Sequence, residues 1–195
     1  MAERRRETAR KLGLTRSMGV AYYRRSLRAY EQKDLPAAIA DISEAIYNDP
    51  RYAEYYATRG LYYLEHKELD KARADFQHAL ELDRRLWITH FGLGVLAFNE
   101  GNYNDAESYF GQALLLGANR PEVRFYHAVT YHQLGDPIRA AAEIDAAIAA
   151  MGTDHRHLKE ARAWKKEIDA KLPEDARPAP PPKKGRKKAS EAGSA

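Results

Sequence analysis

Seven histidines are the side chains of this sequence best suited to metal or acid–base chemistry, and their spacing supports neither. His127 and His132 stand five apart, off the four-residue step that lets two imidazoles on one helix share a metal, and His155 and His157 flank Arg156. There is no HExxH pair, no GxSxG elbow, no phosphate-binding glycine loop and no dinucleotide glycine pattern. Cysteine is absent, so thiol chemistry and a disulfide framework are excluded. The expectation is a protein without catalytic residues, metal or cofactor, whose histidines are structural or solvent-exposed.

Two other residue sets could bind rather than react. Thirteen tyrosines include the pairs Tyr55-Tyr56 and Tyr62-Tyr63, seven residues apart, a spacing that places them on one helical face. Packing explains this better than a stacking platform for nucleic-acid bases. Lys183, Lys184, Arg186, Lys187 and Lys188 cluster behind a proline run. They could meet an anionic partner such as phosphate, an acidic protein or a membrane surface, or simply be a solvated tail.

The elements that would position these residues repeat. The stretch 53–84 holds two amphipathic helical patterns separated by a turn at Lys67-Glu68, and it recurs every 34 residues. Gly60 aligns with Ser26, Gly94 and Ala128, and Ala72 with Ala38, Ala106 and Ala140. Phe76 aligns with Ile42, Phe110 and Ile144, and Ala79 with Ala45, Ala113 and Ala147. Four copies without an insertion mean a stack of identical supersecondary units. The small columns allow close approach of paired helices, and the large column fills the space between neighbouring units. Asp34, Asn102 and Asp136 are placed to cap second helices, and Asp49-Pro50 ends one.

Period and pattern resemble the tetratricopeptide repeat over roughly residues 19–152. The resemblance implies an all-α fold, a right-handed α-solenoid of four helix-turn-helix repeats at 19–52, 53–86, 87–120 and 121–152. Residues 1–18 form a basic N-terminal arm, either frayed or carrying a short helix over Arg4 to Leu12. Residues 153–172 form a C-terminal capping helix with Leu158, Ala161, Trp164, Ile168 and Leu172 on one stripe. The Pro/Lys-rich segment 173–195 lacks aromatic residues and is expected to be disordered. Two columns depart from the family pattern: Arg25, Arg59, Leu93 and His127 stand where leucine is usual, and Tyr22, Tyr56, His90 and Arg124 where tryptophan is usual.

Charge is unevenly spread. Residues 1–28 hold nine Lys/Arg against two acids and 173–195 hold six against three, while 29–172 hold seventeen against twenty-three. The repeat body is therefore mildly acidic and both ends basic. No apolar run approaches the roughly 18 residues of a spanning helix. The charged start does not read as a secretory signal, so the expected location is the cytoplasm.

The resemblance also implies a concave groove lined by the first helix of each repeat. One column reads Tyr23, Ala57, Phe91, Phe125, a second Leu27, Leu61, Val95, Val129, and a third Tyr30, Leu64, Phe98, His132. Steps of four place Leu61 beside Glu65 and Phe91 beside Val95. Relatives that hold acidic chaperone C-termini use Lys, Arg and Asn in these columns, and none stands there here. The expected function is a non-catalytic scaffold, adaptor or chaperone-like protein. It would bind an apolar peptide or amphipathic helix of another protein through Tyr23, Leu27, Tyr30, Leu61, Leu64, Phe91, Val95, Phe98, Phe125, Val129 and His132. The same residues could instead be covered by the chain's own terminal segment. The alternative is a nucleic-acid- or membrane-associated accessory protein working through its basic ends.

Overall fold

The structure, a computed structural model, describes Glu7 and residues 15–117, 120–153, 155 and 157–176. The helix expected over Arg4 to Leu12 and the lysine cluster at 183–188 lie outside these residues. The described chain is an all-α solenoid. Its helices are α1 (Thr15–Glu31), α2 (Leu35–Asn48), α3 (Ala53–Glu65), α4 (Leu69–Leu82), α5 (Trp87–Asn99), α6 (Tyr103–Leu115), α7 (Pro121–Gln133), α8 (Pro137–Ala150) and α9 (Leu158–Lys171). A 3₁₀ turn at Glu174–Ala176 follows. Helix α1 begins at Thr15 and so takes up part of the stretch expected to form the N-terminal arm.

Each odd helix pairs with the next even one, and successive odd helices α3, α5, α7 and α9 lie side by side. The interior of the stack is the set of repeating columns. Ala38, Ala72, Ala106 and Ala140, and Ala45, Ala79, Ala113 and Ala147, are fully buried, as are Ile42, Phe76, Phe110 and Ile144. Residue size is matched across each pair. Phenylalanine in the second helix stands against glycine in the first, so a Cβ on Gly60 would be 2.6 Å from Phe76 and one on Gly94 2.6 Å from Phe110. The smaller Ile42 and Ile144 leave room for Ser26 and Ala128 at the same positions.

The turn inside each repeat is also one design used four times. Asp34 N–H bonds Ala29 C=O, Glu68 bonds Tyr63, Asn102 bonds Ala97 and Asp136 bonds Tyr131, the long-range bond of a Schellman stop. The preceding residue is left-handed in every case: Lys33 and Lys67 at φ 62°, Gly101 at 78° and Gly135 at 77°. Asp34 and Asp136 cap the following helix by accepting from Ala37 and Arg139 N–H. Asn102, expected to do likewise, makes no side-chain cap bond.

The unusual arginines have partners sixteen residues on. Arg59 donates to both Asp75 carboxylate oxygens at 2.7 and 2.8 Å and to Ser43 Oγ of the preceding repeat at 3.2 Å. Arg25 forms the same fork with Asp41. The third repeat replaces the ion pair by Leu93 packed with Tyr109, and in the fourth His127 faces Glu143 at 3.8 Å while Arg124 donates to Glu143 at 2.6 Å. The column that departs from the family pattern is thus a set of complementary pairs.

Candidate peptide groove

The inner wall of the solenoid carries an open groove of about 350 Å³ lined by Tyr30, Leu61, Leu64, Glu65, Phe91, Val95, Glu122, Tyr126 and His157. One residue comes from α1, three from α3, two each from α5 and α7, and one from the lead into α9, so no second helix of a repeat contributes. Five of the residues expected at the groove, Tyr30, Leu61, Leu64, Phe91 and Val95, are brought together here.

Each is held by its neighbours along the stack. The Tyr30 ring stacks on Tyr62 at 5.0 Å and 21°, and its hydroxyl donates to Glu65 Oε2 at 2.6 Å. Phe91 meets Tyr126 edge-on at 5.7 Å and lies 6.1 Å from Phe110. Tyr126 is the hub of this wall, with Phe98 and Phe125 edge-on and Phe110 stacked at 5.9 Å. On the rim, His155 Nε2 stands 3.1 Å from Glu122 Oε1. A second hollow of about 340 Å³, lined by Tyr30, Glu31, Lys33, Leu35 and Glu65, continues the groove past the end of α1.

The remaining expected residues lie elsewhere. Tyr23 donates to Glu54 Oε1 at 3.0 Å and leans on Tyr55, and burial pushes its hydroxyl pKa up. Leu27 is exposed but outside the hollow, and Phe98 packs on Tyr103 and Tyr126. Phe125 and Val129 are each only 3% exposed, and His132 is buried against the Trp164 ring at 5.4 Å. These three belong to the core because α9 and its lead-in close that end of the wall. His157 stacks on Phe125 at 5.9 Å and 22°, and Lys171 Nζ and Glu167 reach His132 Nε2 at 3.2 and 3.4 Å.

Helix α9 therefore acts as a fifth first helix. The spacing of 32 residues that pairs Tyr23 with Tyr55 and Tyr30 with Tyr62 also pairs Phe125 with His157 and His132 with Trp164. Trp164 stands at the repeat position of Arg28, Tyr62, Leu96 and Thr130 at steps of 34, a column with no common residue type. Tyr126, Glu122 and His157 are groove residues that the sequence reading misses. Tyr126 shares its repeat position with Arg24, Thr58 and Gly92, a column with no common residue type.

Among the described residues, no group of three or more His, Asp and Glu could hold a metal ion, and no helix is long and apolar enough to cross a membrane.

The same architecture is found in solved structures. The tetratricopeptide domain of Arabidopsis OM64 superposes with a TM-score of 0.56 at 20% identity, covering 60% of this chain and 98% of that one. The first such domain of Spaghetti (RPAP3), solved with the HSP90 peptide SRMEEVD, gives 0.58 at 18% identity over 62% of this chain and 98% of that one. The MamA protein gives 0.55 at 16% identity over 79% of this chain and 87% of that one. Two family models, both described as tetratricopeptide repeat, match residues 53–86 and 91–155. Together with four in-phase copies of one helix pair, these matches show that the chain belongs to the tetratricopeptide repeat family, whose members are interaction modules.

Proposed function

We propose that this protein is a non-catalytic scaffold that holds an apolar peptide or amphipathic helix of another protein in its concave groove. The observation that carries this reading is the groove itself. Leu61, Leu64, Phe91 and Tyr126, half-buried side chains from three successive repeats, form one apolar wall with the buried Val95 at its base. Apolar hollows of this size with a few polar groups at the rim are the usual form of a ligand site. A helix with anchors every third or fourth residue, or an extended peptide, fits such a wall. The structural neighbour Spaghetti, which holds a peptide, supports the mode of binding but not the identity of the occupant.

The test is a crosslinking pull-down from the native cell, read by mass spectrometry, with wild type compared with Leu61→Ser/Leu64→Ser. Neither side chain is part of the fully buried core, so helical circular dichroism should be retained. The expected result is loss of a defined set of partners in the double variant. Partners retained by the folded variant, and released steeply by salt, would put the contact on the basic ends and defeat the reading.

A further inference from the structure

We propose that the groove is selective for a peptide carrying an arginine or lysine among its apolar residues, and that it turns acidic peptides away. This rests on the peptide-binding reading above and names the chemistry of the occupant.

Three observations carry it. First, the lining holds two carboxylates and no lysine or arginine. Glu65 is the last residue of α3 and Glu122 the second of α7, so the two acids come from different repeats and opposite helix ends. The negative end of the α3 dipole adds to the field of Glu65, while the positive end of α7 partly offsets that of Glu122.

Second, neither carboxylate is paired with a lysine or arginine among the described residues. Elsewhere in the solenoid Asp41, Asp75 and Glu143 are each paired with an arginine. Among the described residues Glu65 is held by the neutral Tyr30 hydroxyl and Glu122 by His155, and neither has a lysine or arginine partner. Lys33 lines the outer hollow together with Glu65, with no ion pair between them among the described residues. Glu65 is exposed at the rim and Glu122 half-buried, and a carboxylate beside an apolar wall with no lysine or arginine of its own favours a ligand that brings one.

Third, the faces between the acids are aromatic. Tyr30, Phe91 and Tyr126 line the same hollow, and an arginine plane laid on such rings gains cation–π attraction in addition to its charge. The solenoid already uses this contact, with the Arg120 guanidinium 4.8 Å from the Trp87 ring and that of Arg139 4.4 Å from Tyr131. Placing a negative peptide there sets like charges together without a counter-ion, which is how a site rejects a wrong partner.

The experiment uses the full chain and three labelled, amidated peptides with leucine at every third or fourth position. Their single central residue is arginine, glutamine or glutamate, and binding is followed by fluorescence anisotropy. The expected order is arginine, then glutamine about tenfold weaker, then glutamate weaker still. In Glu65→Gln/Glu122→Gln the three should converge to within about threefold, while Glu81→Gln on an outer helix should keep the wild-type order. Equal binding of all three to wild type would overturn the charge selectivity and leave the apolar groove standing. No binding of any peptide would remove both. If a chain ending at residue 176 bound the arginine peptide more than about tenfold tighter than the full chain, the basic tail would be the resident occupant, and the assignment to a separate partner would fail.

Discussion

Phe76 lies so close to Gly92 of the next repeat that a Cβ on Gly92 would stand 2.2 Å from the ring's Cζ. The same ring covers Gly60 of its own repeat, so one phenylalanine is clasped by two glycines from neighbouring units. Repeat-to-repeat coupling in a solenoid depends on such contacts. Gly92→Ala should therefore destabilise by about 2–3 kcal/mol, the usual cost of overpacking a core. Urea denaturation would read it, and Phe76→Leu in the same chain should recover part of the loss. Additive losses in that double variant would show that the glycine matters for another reason.

The left-handed turns give a stabilising change. Lys67 adopts φ 62° at the position where the third and fourth repeats place Gly101 and Gly135. A side chain there strains the backbone by about 1–2 kcal/mol, whereas glycine adopts it freely. Lys67→Gly should raise stability by about 0.5–1 kcal/mol after its larger unfolded-state entropy is counted. Thermal melting would show it, and a lower melting temperature would contradict the strain argument.

Asp75 is 7% exposed and forked by Arg59, whose side chain is 20% exposed. Removing Asp75 leaves the partly buried Arg59 guanidinium without its carboxylate, so Asp75→Ala should cost about 2–3 kcal/mol. The third repeat fills the equivalent place with Leu93 and Tyr109. Arg59→Leu/Asp75→Tyr should therefore lose much less than Asp75→Ala alone. The comparison is a double-variant denaturation series.

The packing columns were legible because alanine, glycine and phenylalanine at steps of 34 have one physical use, close helix pairing. The turn at Lys67-Glu68 was legible in position, but the left-handed backbone at Lys33 and Lys67 was not, since lysine carries no signal for positive φ. The groove divides as well. Phe91 and Phe125 have the same residue type and the same repeat position, yet only Phe91 lines the hollow. The difference is His157 stacked on Phe125, a contact set by the packing of α9 and not by the repeat containing Phe125. Substituting Phe125 by serine is accordingly a core change.

His127 supplies a pH dependence. It is buried, neither ring nitrogen has a hydrogen-bond partner, and burial holds its pKa below the ordinary 6.5 despite the nearby Glu143 and Glu107 carboxylates. Below about pH 6.5 the unfolded chain takes up this proton while the folded chain still resists it, so stability falls as pH drops towards the folded value. His127→Leu, which copies Leu93 from one repeat earlier, should flatten that part of the curve. Denaturation midpoints between pH 7 and 5 would check it, and identical slopes in both proteins would contradict the assignment.

Trp164 ties the last helix to the groove. Its ring meets His132 at 5.4 Å and packs on the cluster containing Ile144, and α9 begins where His157 covers Phe125. Full truncation of a buried aromatic costs about 3–5 kcal/mol, and Trp164 is only partly buried, so Trp164→Ala should cost about half of that. The loss should not stay local. Loosening α9 releases the His157 stack, exposes Phe125 and Val129, and extends the apolar wall towards the fourth repeat. The variant should therefore bind an environment-sensitive apolar dye more strongly than wild type while keeping the helical content of α1 to α8. In a Trp87→Phe background, Trp164 emission reports the seat directly and should be blue-shifted from that of hydrated indole. Fully hydrated emission, with stability and dye binding unchanged on truncation, would show that α9 does not close the groove.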